Sequence, residues 1–354
     1  MRFVHTADMH FDAPFTALSA KALGDVRRLE QRKVFSKLID YVREEKIPFL
    51  FISGDLYEHK YIRRSTIEYI NDLFKTIPNT KIFISPGNHD PFLKNSFYNT
   101  FNWNENVHIF NNEVGIYELP EADIYGYGFD DFYCTDFNIA NIKIKNPEKT
   151  NILILHGDLD ASSASEMQYN PLNRAKLKEA GFSYIALGHI HKPNYEENTN
   201  IVYPGSMISF GFDELGERGM LDVEIDEKGV RKKFIKLDDR TFEELSFDIS
   251  EIYSSEELIE KINNLKLKEN TLYKLILIGN KNFEININKI IKLIIQENIL
   301  KIKNNSKLNQ NIDKILEEKN LKSFFITEIM NKFEKKEINK EIMMKAIELG
   351  LEVL

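Results

Sequence analysis

The sequence predicts an α/β layered domain followed by a smaller α+β unit, and three observations predict it. Over the first 190 residues, apolar runs of β type alternate with stretches whose apolar residues recur at helical spacing. Almost every one of those β-type runs ends in a short cluster of Asp, His, Asn and Gly. Beyond about residue 240 the chain turns to Lys-, Asn-, Ile- and Glu-rich sequence with regularly recurring isoleucines. A length of 354 residues suggests two domains, and 42% hydrophobic residues supply a core for each.

Phe3-Val4-His5 opens the first strand. Leu29, Phe35, Leu38, Ile39 and Val42 follow at helical spacing, and Phe49-Leu50-Phe51-Ile52 returns to strand. Ile67, Ile70, Leu73, Phe74 and Ile77 mark a second helix, which leads into the strand Lys81-Ile82-Phe83-Ile84. Later strands are expected at Ile152–Leu155 and Tyr184–Leu187, the second after a helix stopped by Gly181. From Tyr203 to Lys236 the pattern is short and hairpin-like, punctuated by Gly205, Gly211, Gly216, Gly219 and Gly229. A strand around Phe242–Ile249 leads into the second unit, with an amphipathic helix near Glu256–Leu265, a strand at Leu272–Leu277 and helical sequence to Leu354. The Asn/Lys/Ile bias of residues 280–322 also fits disorder, but the isoleucine spacing favours a small helix-containing domain. The boundary falls between 1–243 and 244–354.

Composition excludes several classes. No apolar run reaches the roughly 20 residues of a membrane span. The opening Met1–Asp8 lacks the apolar centre of a signal peptide, and Cys134, as the single cysteine, permits no internal disulfide. A reducing cytoplasm is the expected compartment. A net charge of −8 excludes a globally basic nucleic-acid coat but leaves room for a local stripe, for which Arg27, Arg28, Arg32, Arg63 and Arg64 are the candidates.

The polar clusters carry the chemistry. They are Asp8-Met9-His10, Gly54-Asp55, Gly87-Asn88-His89-Asp90, His156-Gly157-Asp158 and Gly188-His189-Ile190-His191. Taken singly, Asp-x-His or Gly-Asp is more often a turn. Together they hold five of the eight histidines, each cluster at a strand end, where layered α/β folds gather their ligand-binding groups. Asp8 and His10, like His189 and His191, are two apart, so extended backbone points both side chains the same way. Asp55 offers two carboxylate oxygens that can bridge cations, Asn88 an amide oxygen, and His156 another imidazole. These seven candidate ligands suffice for two metals about 3.5–4 Å apart around a bridging hydroxide.

With those residues in view, the sequence resembles the calcineurin-like metallophosphoesterase superfamily. His5-Thr6-Ala7-Asp8-Met9-His10-Phe11-Asp12, Tyr184–Pro193 and Tyr203-Pro204-Gly205-Ser206 resemble its DNA-repair exonuclease branch, which contains the SbcD- and YhaO-type proteins. The resemblance is strong over about residues 1–245 and loose beyond. It implies a layered β-sandwich flanked by helices, with a smaller α+β C-terminal capping domain. It also implies a division of ligands, with Asp8, His10, Asp55 and His191 on one metal and Asp55, Asn88, His156 and His189 on the other. Manganese is the metal the branch typically uses, and the donor set also admits iron or zinc. Partners implied are DNA, an SMC-like coiled-coil ATPase (SbcC/YhaN type) and a second copy of the chain.

Within that reading His89 is the catalytic residue, stabilising charge on the phosphoryl group or protonating the departing 3′-oxygen, while Asp90 orients a neighbouring histidine. One departure stands out. The branch often has a histidine three residues after the bridging aspartate, whereas Glu58 stands here and His59 comes one later. Asp12 and Phe15 are expected near the cleft entrance; His5 reads as a core residue and His108 as part of a short strand.

The expected activity is a two-metal phosphodiester hydrolase: a 3′-to-5′ exonuclease or DNA-end-processing endonuclease in repair. Two other readings use the same residues, a small-molecule or cyclic-nucleotide phosphodiesterase and a metal-binding scaffold subunit of an ATPase complex. A phosphoprotein phosphatase is disfavoured, because no Asp-Arg-Gly follows Gly54-Asp55.

Overall fold

Alternation of side chains along a strand decides the architecture of residues 1–241. Phe3, Phe51, Phe83, Ile124, Ile154, Ala186, Leu221 and Val223 pack into one buried cluster, so strands from both ends of this stretch share a single interior. In the computed structural model this interior lies between two sheets, with helices over the outer faces. The structure describes residues 1–15, 23–135, 137–160, 169–308, 312–318 and 320–353.

In chain order the first unit contains β1 (Arg2–Thr6), α1 (Leu23–Glu44), β2 (Phe49–Ile52), α2 (Arg64–Lys75), β3 (Lys81–Ile84), α3 (Phe97–Thr100), β4 (Val107–Ile109), β5 (Gly115–Glu118) and β6 (Ala122–Gly126). It continues with β7 (Thr150–His156), β8 (Asp158–Leu159), β9 (Pro171–Leu172), α4 (Arg174–Glu179), β10 (Tyr184–Gly188), β11 (Ile201–Val202), β12 (Gly219–Asp226) and β13 (Gly229–Lys236). One sheet has the order β13-β12-β1-β2-β3-β4, with β1 to β4 parallel; the other has the order β11-β10-β7-β6-β5, parallel except for β5. The opposite parity on the first sheet (Val4, Leu50, Ile52, Ile82, Ile84) is also buried, as are Phe35, Leu38 and Ile39 of α1 and Ile67, Ile70 and Phe74 of α2. Tyr125, Leu153, Leu155, Ile185 and Leu187 of the second sheet pack with Leu177 of α4.

The two sheets are stitched together just beneath the strand ends. Ser53 Oγ donates to the Ala186 carbonyl (3.0 Å), so it accepts from His5 Nε2 (3.0 Å), and His5 Nδ1 accepts the Tyr184 hydroxyl (2.9 Å). Any Cβ at Gly188 would collide with the Ser53 carbonyl, which is why the pair His189/His191 follows a glycine.

The buried neutral His5 has a consequence for acid stability. Burial pushes its imidazole down to about 3, below the ordinary value near 6.5. The unfolded chain therefore takes up this proton first as pH falls, and stability drops between pH 6.5 and 3. The expected loss from this residue is about 2 kcal/mol by pH 5. Thermal melts of chelator-treated wild type and His5→Gln at pH 7.5 and 5 measure it, and the variant should show the shallower decline.

The second unit, Phe242–Leu354, has its own core. A three-stranded sheet is formed by β14 (Thr241–Asp248), β15 (Thr271–Ile278) and β17 (Ile299–Asn304), the last two parallel. Between them come α5 (Ser255–Asn263), β16 (Asn280–Lys281) and α6 (Ile287–Leu293); β18 (Lys307–Leu308), α7 (Ile312–Glu317), α8 (Leu321–Glu334) and α9 (Lys340–Val353) follow. The helical pattern expected from 280 onward thus misses β17, where Ile299-Leu300-Lys301-Ile302-Lys303 alternates as a strand. The asparagine bias has a structural use, because the Asn286 and Asn320 side chains cap the N-termini of α6 and α8. No helix among the described residues is long and apolar enough to cross a membrane.

Candidate metal centre

Each polar cluster leaves the carboxyl end of a parallel strand: β1, β2 and β3 in one sheet, β7 and β10 in the other. The chain turns sharply there. Asp8, His10, Asp55 and His189 all hold left-handed backbone (φ 53°, 48°, 53° and 104°), a conformation of non-glycine residues that concentrates at functional sites; tight turns, not the extended backbone expected from the two-residue spacing, therefore aim the paired ligands. Gly54, at φ 86°, is required as well, since a Cβ there would overlap the His156 ring.

The structure brings all seven candidate ligands together. His10 Nε2 lies 3.1 Å from His191 Nε2 and 3.6 Å from Asp55 Oδ2. His156 Nε2 lies 3.3 Å from the same Asp55 oxygen and 2.9 Å from Asn88 Oδ1. His189 Nδ1 is 3.3 Å from that amide oxygen, and its backbone N–H donates to Asp8 (3.0 Å). Metal-ligating atoms of Asp8, His10 and His191 lie within 4.8 Å of one another, as do those of Asp8, Asp55 and His156.

Tautomers follow from the outer partners. His10 Nδ1 donates to Glu58 (2.9 Å), His191 Nδ1 to Glu214 (2.6 Å) and His156 Nδ1 to the Ser53 carbonyl (2.9 Å). In the neutral rings, each Nε2 then carries a lone pair. The lone pairs of His10 and His191 face each other, and that of His156 faces two oxygen acceptors. Such a buried collection of acceptors needs either protons or cations between its members. Without metal it draws protons: burial opposes a charge on His156, but Asp55 and Asp8 outweigh it and raise the imidazole to about 9. Burial alone would raise the Asp55 carboxyl; His156, His10 and His89 instead hold it well below the usual carboxylate range. The donor set therefore fits divalent cations, which would displace those protons.

Sequence reasoning missed the outer partners. Glu58, noted only as a departure, joins two histidines: Oε1 accepts from His10 and Oε2 from His89 Nδ1 (3.0 Å). Burial is outweighed by these two bonds, and its carboxyl falls to about 2. Its position three residues after Asp55 in the same loop was a usable signal. Glu214 had none, since it reaches His191 from a distant glycine-punctuated stretch. Asp90 corrects the expectation that it orients a histidine: it accepts the backbone N–H groups of Gly87, Asp55 and Leu56 and the Tyr98 hydroxyl, bracing two ligand loops. His59 lies beside Phe132 (ring centroids 5.9 Å), outside the ligand cluster. Phe15 stacks on Phe210, whose ring lies against His10 and His191, while Asp12 accepts from Arg63 N and Thr66 Oγ1 at the start of α2. The arginine stripe assembles only in part: Arg28, Arg32 and Arg63 line one pocket beside Asp12 and Asp25, whereas Arg27 is buried on Asp238 and Arg64 pairs with Glu68.

Replacing Glu58 by glutamine keeps its size but sets an amide N–H against one imidazole N–H. Metal affinity and turnover should each fall by about 10–100-fold. Metal titration followed by turnover at saturating metal measures both, and wild-type values would remove Glu58 from the site.

A β-sandwich whose strand-end loops collect carboxylate, amide and imidazole donors defines a metal-dependent phosphoesterase. The chain belongs to the calcineurin-like phosphoesterase family, whose profile matches residues 1–193. Members of this family bind divalent metal ions. The chain is 25% identical to the uncharacterized metallophosphoesterase YhaO of Bacillus subtilis over 281 residues, 75% of this chain and 67% of that protein. It is 26% identical to the SbcD subunit of nuclease SbcCD from Staphylococcus saprophyticus over 267 residues (67% of this chain, 69% of the relative), and 26% to that of Staphylococcus epidermidis over 304 residues (75% and 77%).

Proposed function

We propose that this phosphoesterase is a manganese-dependent nuclease that cleaves DNA phosphodiesters as a 3′-to-5′ exonuclease or end-processing endonuclease. The observation that carries the phosphodiester reading is the set of imidazole lone pairs turned toward one another and toward Asp55 and Asn88, with His89 at the rim. The likeness to the SbcD nuclease proteins supports the choice of DNA, and their being one part of a larger nuclease, SbcCD, supports a partner of SMC-like ATPase type. In this reading residues 1–243 are catalytic and residues 244–354 form a capping or partner-docking domain. Two copies of the chain act together.

Asp8, His10, Asp55 and His191 would hold one cation and Asp55, Asn88, His156 and His189 the other. When bound, the pair supplies Lewis-acid charge that polarises phosphoryl oxygens and acidifies water. The protein's own groups do the rest. Glu58 and Glu214 fix the ring planes of His10 and His191, so each presents Nε2 inward. Asp55 Oδ1 accepts the His89 backbone N–H (2.9 Å), tying the catalytic ring to the ligand loop. The His89 side chain is 44% exposed at the rim of the centre, open to an entering substrate. Partial desolvation opposes its charge, but Glu58 and Asp55 outweigh it and raise the metal-free imidazole to about 9; the Glu58 hydrogen bond, which bound cations leave in place, favours a proton donor.

Digestion of end-labelled DNA by the manganese-loaded chain, beside hydrolysis of bis-p-nitrophenyl phosphate, tests the reading. Stepwise shortening or end cleavage is expected. Hydrolysis of the small diester with intact DNA would favour a small-molecule phosphodiesterase, and loss of both activities with metal bound would favour a scaffold.

A further inference from the structure

The segment Asp131-Phe132-Tyr133-Cys134 borders the metal centre and takes no part in the chemistry above. It is pinned beside the chain that follows β8: Cys134 pairs with Tyr169 in a short bridge, and Asn170 N donates to the Cys134 carbonyl (2.7 Å). Its two adjacent rings each connect, through one intervening residue, to a loop of the centre. Tyr133 stacks on Tyr169 (centroids 5.7 Å, 30°), and Tyr169 lies against His189 (5.2 Å). Phe132 meets His59 edge-on (5.9 Å), and His59 N donates to the His89 carbonyl (2.8 Å). Both rings nonetheless remain open to water, Phe132 at 40% and Tyr133 at 49% exposure.

We propose that Phe132 and Tyr133 form a stacking ledge for unpaired bases of a nucleic-acid strand whose scissile phosphodiester lies at the metal centre. The inference rests on the nuclease reading and narrows it to substrates with a frayed or single-stranded end. Bases inside a duplex are already stacked on one another, whereas an unpaired base gains by covering an aromatic face, whatever its identity. The charges nearby favour bases over backbone. Asp130 and Asp131 precede the rings, with Asp131 accepting the Phe132 N–H, and two carboxylates repel phosphate.

The test uses the full chain in two arms. In the first, chelator-treated protein is titrated by fluorescence anisotropy with a labelled single-stranded oligonucleotide and with the same strand made abasic. Wild type should bind the base-bearing strand more tightly. Phe132→Ala and Tyr133→Ala should each weaken that binding about tenfold, equal to about 1.4 kcal/mol and within the range of base–aromatic stacking. Abasic binding should stay within twofold. Tyr133→Leu, which keeps an apolar side chain but no ring face, should behave like the alanine variant, and Tyr133→Trp should bind as wild type. Unchanged affinity in Phe132→Ala/Tyr133→Ala, or equal weakening on both strands, overturns the ledge. In the second arm, manganese-loaded wild type is given the base-bearing strand and bis-p-nitrophenyl phosphate. Hydrolysis of the diester alone overturns the nuclease reading and the ledge with it, whereas cleavage of the strand leaves the first arm to decide the ledge alone.

Discussion

Asp55→Ala is expected to lose both metal equivalents and about a thousandfold or more of turnover. One Asp55 oxygen faces both His10 and His156, and the other receives the His89 backbone N–H. Removing the carboxylate takes away the donor that two cations would share and loosens the catalytic loop at the same time. It also takes from the buried His156 the charge that chiefly raises its imidazole, so the metal-free variant should carry less proton on that ring. Elemental analysis and hydrolysis of bis-p-nitrophenyl phosphate measure the two effects together. A variant that kept about two metals and its activity would sink the shared-carboxylate arrangement.

His89→Ala should separate chemistry from metal binding. Metal content is expected to stay near wild type, because His89 is not among the seven candidate ligands and its Nδ1 is engaged by Glu58. Turnover should fall by about 10²–10⁴-fold, with KM little changed. Leaving-group dependence identifies the role. If His89 protonates the departing oxygen, an alkoxide such as a sugar 3′-oxygen suffers most and p-nitrophenolate, stable without a proton, suffers least. Equal losses on both substrates would assign His89 to stabilising charge on the phosphoryl group instead. Retained full activity with metal present would remove it from the mechanism.

Much of the catalytic unit was readable because its signals are local. Phe49-Leu50-Phe51-Ile52 is apolar on both faces, as a strand covered by a second sheet and by helices must be, and Gly54-Asp55 follows it directly. The pairs Asp8/His10 and His189/His191 at two-residue spacing announce themselves in the same way. What escaped was relational. Arg27 looked like one more surface arginine, yet it lies fully buried because Asp238, more than two hundred residues away, receives its guanidinium. The strand at Ile299–Asn304 hid in a helix-like composition, because its pairing with β15 rather than its own propensity makes it a strand.

The amino-acid sequence by itself determined the donor types, their placement at strand ends and hence the class of chemistry, since residue type and periodicity suffice for these. Only the tertiary structure decided which ring nitrogen of His10, His156 and His191 carries the proton. It also decided that Glu58 and Glu214 hold two of those rings and that exposed aromatics border the centre. Each of these depends on what a side chain touches where the strand-end loops of the two sheets meet. Packing brings together there residues that sequence distance keeps apart.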